Sequence, residues 1–205
     1  MARIGILGGS FDPLHTGHLL LAECCREQCA LDKVLFIPTA ISPLKEAGSH
    51  ATNQQRLDML TLGIAGQNRF EISDLELRRG GKSYTYETLE TLTADNPQDE
   101  FYFLMGADSL ADFSKWKEPQ RICELATLAI VSRPGCPPLD FRVLENYASP
   151  EYIAQVKEIQ VAMPAVDLSS SEIRQKTAYG KSIRYHLPRS VEQYIRQEQL
   201  YQTRD

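Results

Sequence analysis

Apolar positions in this chain follow two alternating rhythms. Short unbroken runs at 3–7, 34–37, 101–105 and 128–131 have the length and the branched or aromatic character of buried strands. Between them, apolar residues recur three and four apart. In 18–30, His18, Leu21, Ala22, Cys25 and Cys29 share one face, with Glu23, Arg26 and Glu27 opposite. That spacing predicts a helix opened by His18. Residues 53–64 are amphipathic, and 85–93 read as helix. The alternation over 70–77 predicts an edge strand. Pro43, Gly48 and Lys45 mark a long loop over 39–52, and three prolines with one glycine make 133–138 another.

The later part is more helical. Residues 139–158 read as a helical excursion and 159–163 as a last strand. Ser169 or Ser170 caps a helix over 170–177, with Glu172 near its first turn. Leu187-Pro188 begins a final helix running to about residue 197. The β-α-β order predicts an α/β fold: a doubly wound parallel sheet with helices on both faces and a small C-terminal helical region. Ligands then belong beyond the carboxyl ends of the strands. No repeat or linker divides the chain, so residues 1–205 read as a single domain.

Composition narrows the classes. The 205 residues carry a net charge of −5, with 42% hydrophobic and 24% charged residues. A basic field suited to nucleic acid is missing, so nucleic acid is not the expected partner. No apolar run approaches the roughly 20 residues of a membrane span. Residue 1 leads directly toward a core strand with no signal-peptide layout, so a cytoplasmic protein is expected. The five cysteines, at 24, 25, 29, 123 and 136, are odd in number and match no zinc spacing. They are expected to be reduced thiols, with Cys25 and Cys29 as small core residues.

The chemistry concentrates in Gly8-Gly9-Ser10-Phe11-Asp12-Pro13-Leu14-His15-Thr16-Gly17-His18. Two glycines after a strand let the backbone approach a ligand closely. The N–H groups of Gly9, Ser10 and Phe11 can then face phosphate oxygens. A helix starting near Gly17 adds its positive end. His15 and His18, two of the chain's four histidines, bring two imidazole donors to the same place.

This stretch resembles the His-x-Gly-His signature of the nucleotidylyltransferase superfamily, which implies a Rossmann-like fold. Five further stretches follow in order: Gly80-Gly81-Lys82-Ser83-Tyr84-Thr85-Tyr86, Met105-Gly106-Ala107-Asp108-Ser109-Leu110 with Trp116, Ser132-Arg133-Pro134-Gly135, Leu168-Ser169-Ser170-Ser171-Glu172-Ile173-Arg174, and an ending with Leu187-Pro188, Val191, Tyr194-Ile195 and Leu200-Tyr201. Together they resemble the bacterial nicotinate-mononucleotide adenylyltransferases over nearly the whole chain. The resemblance implies transfer of adenylate from ATP to nicotinate mononucleotide, giving deamido-NAD and pyrophosphate in NAD biosynthesis.

It also implies roles. His15 and His18 bind the ATP phosphates and stabilise the transition state, and Arg174 reaches the β and γ phosphates. Lys45 is a loop cation for phosphate. The family usually carries Pro-Pro-His-Lys where this chain has Ser42-Pro43-Leu44-Lys45, so the lysine is kept and the histidine lost. Trp116 stacks on the nicotinate ring, and backbone N–H groups at Tyr84 and Thr85 hold its carboxylate. Asp108 contacts a ribose and Gly106 permits close approach of adenosine. Gly8, Gly9, Ser10, Phe11, Arg133, Ser169 and Ser170 complete the substrate-binding set. Mg²⁺ is expected, bridged by ATP phosphates and water rather than by a protein cluster. Two alternatives stay open: a related transferase such as pantetheine-phosphate adenylyltransferase, and a catalytically idle nucleotide sensor on the same fold.

Overall fold

The computed structural model describes residues 1–43, 48–132 and 138–202. The first half alternates strand and helix: β1 (Arg3–Gly9), α1 (Thr16–Gln28), β2 (Lys33–Pro38), α2 (Asn53–Ile64) and β3 (Phe70–Ile72). Two helices, α3 (Leu75–Arg79) and α4 (Thr85–Asp95), lead to β4 (Glu100–Gly106). The short α5 (Ala107–Ala111) and α6 (Pro119–Leu125) precede β5 (Thr127–Ser132). The chain continues with α7 (Pro150–Glu158), β6 (Val161–Ala162), α8 (Ser170–Ala178) and α9 (Arg189–Gln197).

All strand pairs are parallel, in the order β3-β2-β1-β4-β5-β6. The order turns about between β1 and β4, where Ile4 faces Phe101 and Ile6 faces Phe103. That reversal opens a crevice beyond the carboxyl ends of both strands, between Gly9 and Gly106. The site therefore has a place in the fold before any side chain is considered.

Strand alternation divides the core into two faces. Ile4, Ile6, Phe101, Phe103, Leu128 and Ile130 pack with residues of α4, α6 and α7. Leu7, Val34, Phe36, Leu104 and Val131 pack with Leu21, Ala22, Cys25 and Cys29. Cys25 and Cys29 are core residues, and burial pushes both thiols up. A third cluster joins Met59 of α2 to Ile173, Val191 and Ile195 of the C-terminal helices. Among the described residues, no helix is long and apolar enough to cross a membrane.

Several elements depart from the sequence pattern. Helix α1 starts at Thr16, because the carbonyl of His15 already accepts from His18 and Leu19 N–H. His15 is thus the N-cap and His18 lies inside the first turn. The predicted edge strand over 70–77 stops after Ile72. Ser73 N–H makes one more bond to Phe36 O, and the chain then coils into α3, burying Glu76. The excursion over 139–158 is a 3₁₀ turn at Phe141–Leu144 followed by α7, separated where Ser149 caps and Pro150 starts the new helix. Ser169, rather than Ser170, caps α8.

Candidate active site

At the end of β1 the backbone is bare by construction. A Cβ on Gly8 would meet nothing within 4 Å and would project into the crevice. A Cβ on Gly9 would lie 3.2 Å from the Phe11 ring. Phe11 takes φ 46° and buries its ring under the loop, edge-on to His18 at 5.1 Å between centroids. It offers a ligand its backbone, not its side chain.

The two imidazoles sit at the positive end of α1, whose first turn carries no acidic residue. Their rings stack at 3.7 Å and 26°. The His15 backbone N–H donates to His18 Nδ1 at 3.2 Å. With Nδ1 accepting, the neutral His18 ring carries its proton on Nε2, the nitrogen on the outer side. Gly17 completes the arrangement: a Cβ there would stand 3.1 Å from two atoms of the His15 ring. The Thr16 N–H, a free donor in an isolated helix, bonds to His186 O at 2.9 Å.

Beneath this loop lies a polar scaffold. Asp12 is 3% exposed, and its carboxylate accepts from His50 N–H (2.7 Å), Ala51 N–H (3.1 Å) and the Tyr201 hydroxyl (2.8 Å). Its carbonyl accepts from Arg174 Nη1 at 2.7 Å. Arg56 is fully buried; Nη1 donates to Ser10 O at 2.9 Å and Nη2 to Asn53 Oδ1 at 2.7 Å. Burial lowers the Arg56 pKa, and the nearby Asp12 charge opposes that shift. Burial and the Asp12 charge together raise that of Tyr201. Ser170 Oγ donates to Pro13 O at 2.9 Å, while Ser169 Oγ accepts from Glu172 N–H. The loop, α2, α8 and the C-terminal segment are thereby tied together.

Two cavities flank the loop. The larger, about 520 Å³, runs from Gly8, Gly9 and Ser10 to Tyr84, Thr85 and Trp116, with Lys82, Lys115 and Lys117 around it. Tyr84 is the N-cap of α4, so the first N–H groups of that helix have no partner within it. Trp116 is half-buried, held against Phe103 and Phe113 at 5.6 Å from each. Lys117 Nζ stands 4.7 Å from the Tyr84 ring centre. Glu76, 5% exposed, lines the floor and accepts from the Thr88 hydroxyl at 2.7 Å. Burial raises its pKa, with the hydroxyls of Thr88 and Ser83 pulling back. The smaller cavity, about 300 Å³, lies between Ser10, Asp12, Thr39, His50, Ser171 and Arg174.

The structure thus gathers Gly8, Gly9, Ser10, Tyr84, Thr85 and Trp116 around one cavity and places Arg174 in the next. His15 is buried and His18 half-buried at the α1 end of the same loop. Gly106 and Asp108 line neither cavity. Gly106 is the N-cap of α5, and a Cβ on it would stand 2.5 Å from Asp108 Oδ1. Asp108 is the second residue of that helix and is exposed. Lys45 and Arg133 lie outside the described residues. The sequence pattern did not single out Asp12, His50, Arg56, Glu76, Lys82 or Tyr201 as site residues. For Arg56 there was a signal: a charge on the apolar stripe of α2, with Met59 and Leu60. Tyr201 lies in the C-terminal stretch that resembles the family, and nothing there pointed to Asp12, its partner 189 residues away. Among the described residues, no group of three His, Cys, Asp or Glu is placed to hold a metal ion.

Known proteins share this chain's sequence and fold. The cytidylyltransferase-like family matches residues 6–176. A Rhodopirellula baltica protein named as a probable nicotinate-nucleotide adenylyltransferase is 44% identical over 98% of this chain and 94% of its own length. One of the same name from Thermus thermophilus is 43% identical over 97% of this chain and 99% of its own. The Plasmodium falciparum nicotinic acid mononucleotide adenylyltransferase, solved in complex with NaAD, shares the fold at a TM-score of 0.74 and 21% identity. That match covers 98% of each chain. The Rossmann-like crevice with its His-x-Gly-His loop and the full-length likeness agree: the chain belongs to the nicotinate-nucleotide adenylyltransferase family.

Proposed function

We propose that the protein transfers the adenylyl group of ATP to nicotinate mononucleotide, forming deamido-NAD and releasing pyrophosphate in NAD biosynthesis. One observation carries this reading beyond the family likeness. The helix end bearing His15 and His18 shares a single loop with a cavity walled by Trp116 and the start of α4. This reading assigns the triphosphate to the helix end and a flat pyridine ring to the cavity, on either side of Gly8–Ser10.

The chemistry needs little from a base. A phosphomonoester with a second pKa of about 6 is already largely ionised near neutrality. A phosphate oxygen of the mononucleotide attacks the α-phosphorus in line, forming one P–O bond as the bond to the β-phosphate oxygen breaks. The obstacle is charge: two polyanions must meet, and more charge gathers on the transferring group. Fixed donors aimed at that charge lower the barrier. His18 Nε2, the α1 N-terminus and the loop N–H groups act on the transferring phosphate. Arg174 acts on the leaving pyrophosphate, and Lys45 is the further loop cation we assign there.

The pyridine half is read by Trp116, whose face stacks on the ring. N–H donors at the start of α4 suit a carboxylate and leave an amide NH₂ group facing donors. Mg²⁺ fits as an ion carried by the triphosphate and water, where it offsets negative charge; the described residues supply no cage for it. Buried thiols such as Cys25 agree with a reducing, cytoplasmic setting.

A paired assay tests the reading. Pyrophosphate release is measured under saturating ATP with the acid and the amide mononucleotides. Faster turnover of the acid is expected. Equal turnover, or turnover only with an unrelated phosphate acceptor such as phosphopantetheine, would overturn it.

A further inference from the structure

We propose that His50 is a further ligand for the nucleotide's polyphosphate, acting opposite Arg174 across the smaller cavity. The inference rests on the function proposed above. His50 belongs neither to the first-loop motif nor to the C-terminal one, and it follows the loop in which Leu44 stands where the family usually has histidine. It lines the cavity of about 300 Å³ together with Ser10, Ser171 and Arg174.

Asp12 holds the His50 backbone and lies beside its ring. One carboxylate oxygen accepts the His50 N–H at 2.7 Å and lies 3.5 Å from its ring Nδ1. A ring turned to a buried carboxylate through Nδ1 carries a proton there, and its Nε2 faces away from Asp12. With both nitrogens protonated, the imidazolium donates from Nε2 to an anion in the cavity. Asp12 holds the second cation as well, because its carbonyl accepts from Arg174 Nη1, while Arg174 Nη2 donates to Ser171 Oγ at 3.2 Å. One buried residue in the phosphate loop therefore sets the Arg174 guanidinium and the His50 ring on the walls of one cavity.

The charge balance supports an anion there. Asp12 is the only acidic residue lining the cavity among those described, and its oxygens are already engaged by two backbone N–H groups and the Tyr201 hydroxyl. The groups around His50 are Asp12 from the first loop, Arg174 from α8, and the buried Arg56 and Tyr201 behind Asp12. The Arg174 guanidinium and the His50 ring line the open space, and the Asp12 carboxylate is taken up by its own partners. The His50 side chain is 58% exposed, so its replacement leaves the core intact.

Calorimetric binding of inorganic triphosphate to the full chain tests this, with His50→Ala, His50→Gln and Arg174→Ala beside the wild type. Titrations at low and high ionic strength separate a charged contact from a structural one. His50→Ala is expected to weaken triphosphate about 10-fold at the lower ionic strength, in line with loss of one charge-assisted bond, and less at the higher. His50→Gln, which keeps a donor, should recover part of the loss. Unchanged affinity in His50→Ala at both ionic strengths, with Arg174→Ala weakened, overturns this inference alone. Unchanged affinity in both variants overturns it and also removes the triphosphate from this crevice, against the function proposed above.

Discussion

The His15 and His18 rings stack at 3.7 Å, and the His15 backbone N–H donates to His18 Nδ1. The pair is therefore one unit: the cap of α1 fixes which nitrogen of His18 faces outward. It depends on the residue between them having no side chain, since a Cβ on Gly17 would stand 3.1 Å from the His15 ring. Gly17→Ala should keep the fold while lowering kcat about 10-fold or more, as a misplaced donor does. Steady-state kinetics beside a melting curve checks this. Full activity would mean that the stack has no catalytic consequence.

Arg56 gives a stability prediction. It is fully buried and holds Ser10 O, so Arg56→Ala strands that carbonyl, removes one of the cations near Asp12 and opens a cavity. Losing one member of a buried charged set costs about 3–5 kcal/mol. At about 2–4 °C per kcal/mol for a domain of this size, the melting temperature should fall by roughly 10 °C. A drop of under about 2 °C would show the arginine to be dispensable.

Much of this was legible in the chain, and what was not has a physical reason. The apolar runs revealed the four longest strands, because strands buried on both faces read as continuous hydrophobic stretches. Gly8 to His18 revealed the phosphate loop, because strand, glycines and helix end lie together in sequence. The edge failed: Phe70, Ile72, Leu75 and Leu77 are apolar in strand and helix alike, so the pattern could not mark the change into α3. Helices α5 and α6 were too short for periodicity to register. The scaffold of Asp12, Arg56 and Tyr201 was hidden because it joins loops and helix ends 46 to 189 residues apart. Periodicity reports local order and is silent on such links.

Glu76 predicts a pH dependence. Burial raises its pKa above the ordinary 4.5, so folding favours the protonated form. Its stabilising contribution is complete below about pH 4.5 and is lost as pH rises through the raised value. Glu76→Gln imitates the neutral acid at every pH. The variant should match the wild type near pH 4 and melt higher than it near pH 8. A difference of the same size at both ends would contradict a titrating Glu76.

Trp116 divides the two substrates. Replacing it with alanine removes a stacking face worth about 1–3 kcal/mol, so KM for nicotinate mononucleotide should rise about 10-fold or more. KM for ATP should stay unchanged, and Trp116→Phe should keep most of the affinity. Parallel rises in both constants would place the indole in the core alone, where it already touches Phe103 and Phe113.

The most direct test of the whole account is the turnover of His18→Ala with ATP and nicotinate mononucleotide, both saturating, followed as pyrophosphate released. Loss of one donor aimed at the transferring phosphate predicts a kcat about 10²–10³-fold below the wild type, with the melting temperature little changed. Undiminished kcat in a folded His18→Ala protein would contradict the claim that the imidazole at the start of α1 stabilises the transfer.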